Sequence, residues 1–182
     1  FISNYTLLLK NTNNYSENSN AFDENKNYDL FTTLKYDLSL PLQKKLKKAN
    51  HFLKPIASFR YSPNGNTNLS SKDISLNYDN VFGMNRINTN SQVEGGESLT
   101  LGLEFFRENN IDGRVFDFKV ANVIKAKKDL NLPSKSKLDQ TRSDIFGEMN
   151  YKVNENINLG YFFSYDRDLK SSNLEGLDVG IT

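Results

Sequence analysis

The feature that most constrains this chain is a two-residue alternation of apolar and polar side chains, sustained over unusually long stretches. In "YDLFTTLKYDLSL", Leu30, Leu34, Tyr36, Leu38 and Leu40 share one parity, and Asp29, Thr33, Lys35, Asp37 and Ser39 the other. "ESLTLGLEF" sets Leu99, Leu101, Leu103 and Phe105 against Ser98, Thr100, Gly102 and Glu104. "NINLGYFFSYD" sets Ile157, Leu159, Tyr161, Phe163 and Tyr165 against Asn158, Gly160, Ser164 and Asp166. Side chains alternate between faces only in an extended strand, so these segments predict strands with one polar face. Several run to ten residues or more, whereas a soluble strand is usually about 5–6 residues long. A tilted strand that crosses a bilayer needs about 9–11.

The alternation predicts strands near 2–10, 28–40, 54–61, 72–79, 97–108, 114–125, 142–153, 157–168 and 175–182. The only helix-like stretch, "LQKKLKKANHFLK" over 42–54, is bracketed by Pro41 and Pro55 and reads as a loop with one helical turn. Connections at 109–112 and 154–156 read as tight turns, whereas 80–96, 126–141 and 169–174 are longer and polar. Short and long links thus alternate through the second half, as they do in membrane barrels. The 11–27 link breaks this rule in the first half, because its place in the alternation demands a short turn.

Composition agrees with a barrel. Mean hydropathy is only −0.63, yet aromatic residues reach 12%. Strands apolar on alternate residues keep the mean low while carrying many rings. No window approaches the apolar run of about 18 residues that a transmembrane helix needs. The net charge of +1 makes no strong electrostatic case for nucleic acid, whose phosphates need a concentrated basic face, so no nucleic-acid partner is expected. Strand-like residues run to both ends and no initiator Met opens the chain, which points to a single partial β-barrel domain over 1–182 that belongs to something longer.

Catalytic chemistry finds little to use. With no cysteine and one histidine, His51, any Ser-His-Asp set depends on a ring in a lysine-rich link. "DRDLKSSNLE" lacks calcium-loop spacing. Glu94 and Glu97 flank a turn and read as separate exposed acids rather than a glycosidase pair. "KKLKK" (44–48) is either a solvated link or a docking point for lipid phosphates. The Gly95–Gly96 pair has neither G-x-G-x-x-G nor a following Lys-Ser/Thr, so it reads as a turn that feeds a strand. No catalytic residue, metal or cofactor is expected.

Three segments in order carry a family resemblance: "LKPIASFRYSPNGN", "LNYDNVFGMNRINTNSQVEGGESLTLGLEF" and "SDIFGEMNYKVNENINLGYFFSYDRDL". They resemble successive parts of the LPS-assembly outer-membrane family LptD (OstA). The block over 80–105 is the most specific, with Asn85, Arg86, Glu94, Gly95 and Gly96 as its loop motif. The resemblance implies an all-β, antiparallel up-and-down meander, about nine strands of a large transmembrane barrel of about 26. It implies the bacterial outer membrane, with lipopolysaccharide and outer-membrane lipids as partners. It also implies a plug lipoprotein of LptE type, and periplasmic bridge proteins that dock on an N-terminal domain not seen in this chain. In that setting Leu99, Leu101, Leu103, Phe105, Leu159, Tyr161 and Phe163 are expected to face lipid. Ser98, Thr100, Glu104, Asn158 and Ser164 are expected to face the lumen. A porin or siderophore-transporter wall and a soluble β-sandwich binding module are the competing readings, since alternation alone does not say which face is covered.

Overall fold

The computed structural model describes residues 1–15, 26–170 and 172–181. Among these, nine strands are formed: β1 (Ile2–Tyr15), β2 (Lys26–Ser39), β3 (Leu42–Lys45), β4 (Ala49–Ser62), β5 (Gly96–Asn109), β6 (Val115–Lys125), β7 (Arg142–Lys152), β8 (Ile157–Tyr165) and β9 (Ser172–Ile181). All pair antiparallel in one open sheet of order β1-β2-β4-β5-β6-β7-β8-β9, with the short β3 paired to β4. The chain is therefore an all-β up-and-down meander. The ladder of β4 on β5 runs unbroken from Ala49 opposite Asn109 to Ser62 opposite Gly96.

Two segments differ from the sequence expectation. Residues 42–54 form no helical turn. They make a β-hairpin, Leu42 opposite Leu53 and Lys45 opposite Asn50, so β4 starts five residues before the expected position and His51 lies within a strand. Conversely, 72–79 joins no ladder. Its alternation is real, because Ile74, Leu76 and Tyr78 all pack into the core, but the segment lies across the sheet as an extended loop. Period two records which side chains are buried. It does not record whether the backbone has a strand partner.

Removing that strand resolves the first-half anomaly. The links 40–48, 110–114 and 153–156 now sit at one end of the sheet, and 63–95, 126–141 and 166–170 at the other. The β1–β2 connection joins strand ends on the long-loop side. The 11–27 link is thus shorter than expected, since β1 extends to Tyr15 and β2 begins at Lys26; residues 16–25 lie outside the described ones.

Register fixes two faces. Opposed residues share a face, so Lys35, Arg60, Ser98 and Lys125 lie together, as do Asp37, Ser58, Thr100 and Val123. The same face continues through Phe146 on β7 and Ser164 on β8. The opposite face carries Leu34, Tyr61, Phe59, Leu99, Leu101, Leu103, Phe105, Ile145, Phe163, Tyr161 and Leu159. The two long loops pack on the first, polar face. Leu69, Leu76, Tyr78, Val81 and Ile87 from 63–95, and Leu132 and Leu138 from 126–141, form the core with Ala121, Val123 and Phe146 from the sheet. Those three interrupt the polar row where the loop core rests.

Candidate functional site

The centre of the polar face is a clasp that fixes the 63–95 loop. The Glu94 carboxylate accepts two bonds from one guanidinium, Arg86 Nε at 2.7 Å and Nη2 at 2.6 Å. Both side chains are essentially withdrawn from solvent. Arg86 also donates to Ser98 Oγ at 2.9 Å and Thr100 Oγ1 at 3.4 Å, which ties the loop to β5. From β4, Arg60 donates to the Met84 carbonyl at 2.8 Å and to the Glu94 carbonyl. Burial alone would push the Glu94 carboxyl up, but the cations of Arg86, Arg60 and Lys125 outweigh it and hold it below the usual carboxylate range. A planar fork against a carboxylate is the strongest such pairing available to side chains.

The rest of the motif braces this pair. Asn85 accepts from the Glu94 amide at 3.1 Å and donates to the Gln92 carbonyl at 3.2 Å, closing the loop on itself. The Gly95 amide donates to Asn66 Oδ1 at 2.7 Å. A side chain at Gly95 would run into the backbone carbonyl of Asn64, so only glycine allows the two loop stems to meet. Gly96, with φ +93°, turns the chain into β5 in a conformation that other residues rarely adopt. All five motif residues are thus brought together.

Below the clasp a second loop anchor forms. Lys35 donates to the Phe82 carbonyl at 2.6 Å, and the Phe82 ring occupies the space that Gly102 leaves on β5. Tyr78 donates to Glu104 Oε1 at 3.1 Å, and its phenol is pushed up by burial and by the Glu104 charge. Glu104 in turn bridges to Lys54 at 3.1 Å. The loops also hold each other: Asn66 donates to Asp129 at 2.6 Å, and the Leu76 amide to Ser136 Oγ at 2.7 Å.

Of the residues expected on the polar side, Ser98, Thr100, Glu104, Asn158 and Ser164 do share one face, through Arg60, Ser58, Lys54, Lys152 and Phe146 opposite them. Ser98, Thr100 and Glu104 contact the loop, Ser164 donates to Asp144 at 3.2 Å, and Asn158 is exposed at the short-turn end. Leu99, Leu101, Leu103, Phe105, Leu159, Tyr161 and Phe163 line the opposite side. Sequence reasoning missed Arg60, Asn66 and Phe162. The first was legible as a cation on the polar parity of "ASFRYS". Phe162 breaks parity because its ring covers Gly176 on the neighbouring strand. His51 packs its ring 6.1 Å from that of Phe105 rather than in a polar link. Glu94 is committed to Arg86 and pairs with no second acid.

The family model described as LPS transport system D, LptD, matches residues 4–180. The chain belongs to the LptD family. No individual curated protein matches it significantly. The match spans the whole meander, so the LptD assignment covers the clasp loop, both faces and every strand. LptD proteins serve lipopolysaccharide transport and assembly in the Gram-negative outer membrane, and the all-β sheet agrees with that setting.

Proposed function

We propose that the chain is a wall segment of the barrel through which lipopolysaccharide reaches the outer leaflet, with the polar face toward the lumen and the apolar face toward lipid. One observation carries the reading. The sheet covers its polar face with its own loops and leaves its apolar face bare, with Leu101 at 44% and Phe59 at 46% of full exposure. A soluble sandwich does the reverse, because its stability comes from removing apolar area from water. Only an apolar solvent suits a sheet built this way round. The strands of 9 to 14 residues on the main path suit the same solvent. No bond is made or broken in this role: the wall supplies a polar passage, and the clasped loop narrows it.

The plug lipoprotein and periplasmic bridge expected of the family fit a polar lumen open at the short-turn end. The test is Leu101→Arg in the intact protein. At mid-membrane depth a lipid-facing arginine costs about 2–4 kcal/mol, so the barrel should lose its heat-modifiable migration and its place in the outer membrane. Unchanged migration and assembly would remove Leu101 from the lipid face.

A further inference from the structure

The lysine run "KKLKK" has a fixed place in the fold. It forms the tip of the β3–β4 hairpin, at the short-turn end of the sheet. Three hydrogen bonds tie that tip to the neighbouring turn. The Asn110 amide donates to the Lys48 carbonyl at 3.0 Å, the Asn110 side chain donates to the Leu46 carbonyl at 3.3 Å, and Asn50 donates to Asn110 Oδ1 at 2.9 Å. The cations are thus held against the end of the sheet. Lys44, Lys45, Lys47, Lys48 and Arg107 are all exposed, and none holds an ion pair among the described residues. Of the acids in the adjoining strand end and turn, Asp112 pairs with Arg114 at 3.3 Å. Glu108, opposite Asn50, has the parity of the polar face.

Register places two of these cations on the apolar face. Lys44 lies opposite His51, His51 opposite Arg107, Arg107 opposite Phe116 and Phe116 opposite Tyr151. With strands about 4.8 Å apart, Lys44 and Arg107 flank His51 at about 10 Å from each other. The next row toward the middle of the sheet, about 7 Å away, is Leu42, Leu53, Phe105 and Phe118. A row that passes from cations to aromatic rings, with apolar side chains beyond it, matches the depth of lipid headgroups, where aromatic girdles sit.

We propose that this rim is a binding site for an anionic phospholipid of the leaflet at the short-turn end, its phosphate held between Lys44 and Arg107. Its acyl chains run along Leu42, Leu53, Phe105 and Phe118. His51 lies between the two cations and offers a ring N–H to the phosphate. Lys47 and Lys48 add to the field that draws an anionic headgroup to the tip. A zwitterionic headgroup gains less from that field, because its own cation is repelled. The site rests on the reading that the apolar face meets lipid. It lies at the end of the sheet opposite the long loops and the clasp.

Native mass spectrometry of the intact protein, released from detergent with added phospholipid, tests the site. Phosphatidylglycerol should be retained as a discrete adduct, and phosphatidylcholine of the same chain length more weakly. Lys44→Gln with Arg107→Gln should lower phosphatidylglycerol occupancy about fivefold for each charge removed. Lys44→Arg with Arg107→Lys keeps both charges and should keep the adduct. Lys45→Gln, on the opposite parity, should leave occupancy near that of the wild type; an equal loss there would overturn the assignment to the outer row. Equal retention of phosphatidylcholine would overturn the headgroup assignment. Unchanged phosphatidylglycerol occupancy with Lys44→Gln and Arg107→Gln would overturn the site and leave the tip to an acidic protein partner. The comparison of the two lipids on the unaltered protein stands even where a variant fails to fold. Heat-modifiable migration separates the two readings: a folded barrel without the adduct counts against the lipid site alone, whereas normal assembly of Leu101→Arg counts against the wall.

Discussion

At the scale of single residues, the Arg86–Glu94 pair sets how firmly the loop is held. Taking two charges out of water is costly, and the cost is met only while both partners and their surrounding donors are in place. Glu94→Gln leaves Arg86 buried beside Arg60 and Lys125 with no countercharge. Removing one partner of such a pair costs about 3–5 kcal/mol, so hydrogen exchange of the 63–95 amides should accelerate by on the order of 100- to 1,000-fold, with the strands unaffected. Arg86→Lys should fail to restore protection, since a point charge cannot span both oxygens that Arg86 engages. The pH dependence follows from the depressed carboxyl of the folded chain. Stabilisation by Glu94 is complete above the ordinary carboxylate value of about 4.3 and is lost only as pH falls through the lower folded value. Loop protection should therefore hold from neutral pH down to about 4.5 and collapse in stronger acid. Equal exchange in the wild type and the glutamine variant at neutral pH would show that the clasp does not hold the loop.

At the scale of elements, the links assign the ends of the sheet. The short turns 110–114 and 153–156 lie opposite the long loops 63–95 and 126–141, as periplasmic turns and external loops do. An epitope inserted between Lys127 and Lys128, both exposed, should be labelled on whole cells. The same epitope beside Glu155 should be labelled only after permeabilisation; the reverse pattern would invert the sheet. This end-to-end order was partly hidden in the sequence. Strands β5 to β9 were legible because turn residues bracket each alternating run, as "NNIDG" and "NENIN" do. The first half was not, because Ile74, Leu76 and Tyr78 mimic a strand while packing from a loop, and that one false strand shifted the parity of every link before it. The hairpin at 42–53 was obscured by a lysine run at its exposed tip, where helix and strand leave the same polar pattern. The clasp was half legible. "NR" and "EGG" stood out as a motif, but nothing local says that Arg86 reaches across eight residues to Glu94, or that Arg60 arrives from another strand.

At the scale of the whole molecule, the sheet inverts the usual relation between burial and polarity. Its polar face is the inside of a core made with its own loops, and its apolar face is bare from Tyr5 and Leu7 on β1 to Leu177 and Val179 on β9. β1 and β9 each pair on one side only within the described sheet, and an unpaired edge is a template for another chain. A continuous run of exposed apolar side chains across a whole sheet is what a soluble monomer rarely leaves uncovered. The 182-residue chain by itself should therefore associate in plain buffer and disperse in detergent, where micelles cover the apolar face. Its β content by circular dichroism should be kept in detergent, because a micelle covers apolar side chains without competing for the backbone hydrogen bonds of the ladders, and the loop clasp lies on the opposite face. Analytical ultracentrifugation with and without detergent reads this directly. A stable monomer in plain buffer would mean that some other part of the chain covers Leu99, Leu101 and Phe59, and the lipid-facing assignment would fall with it.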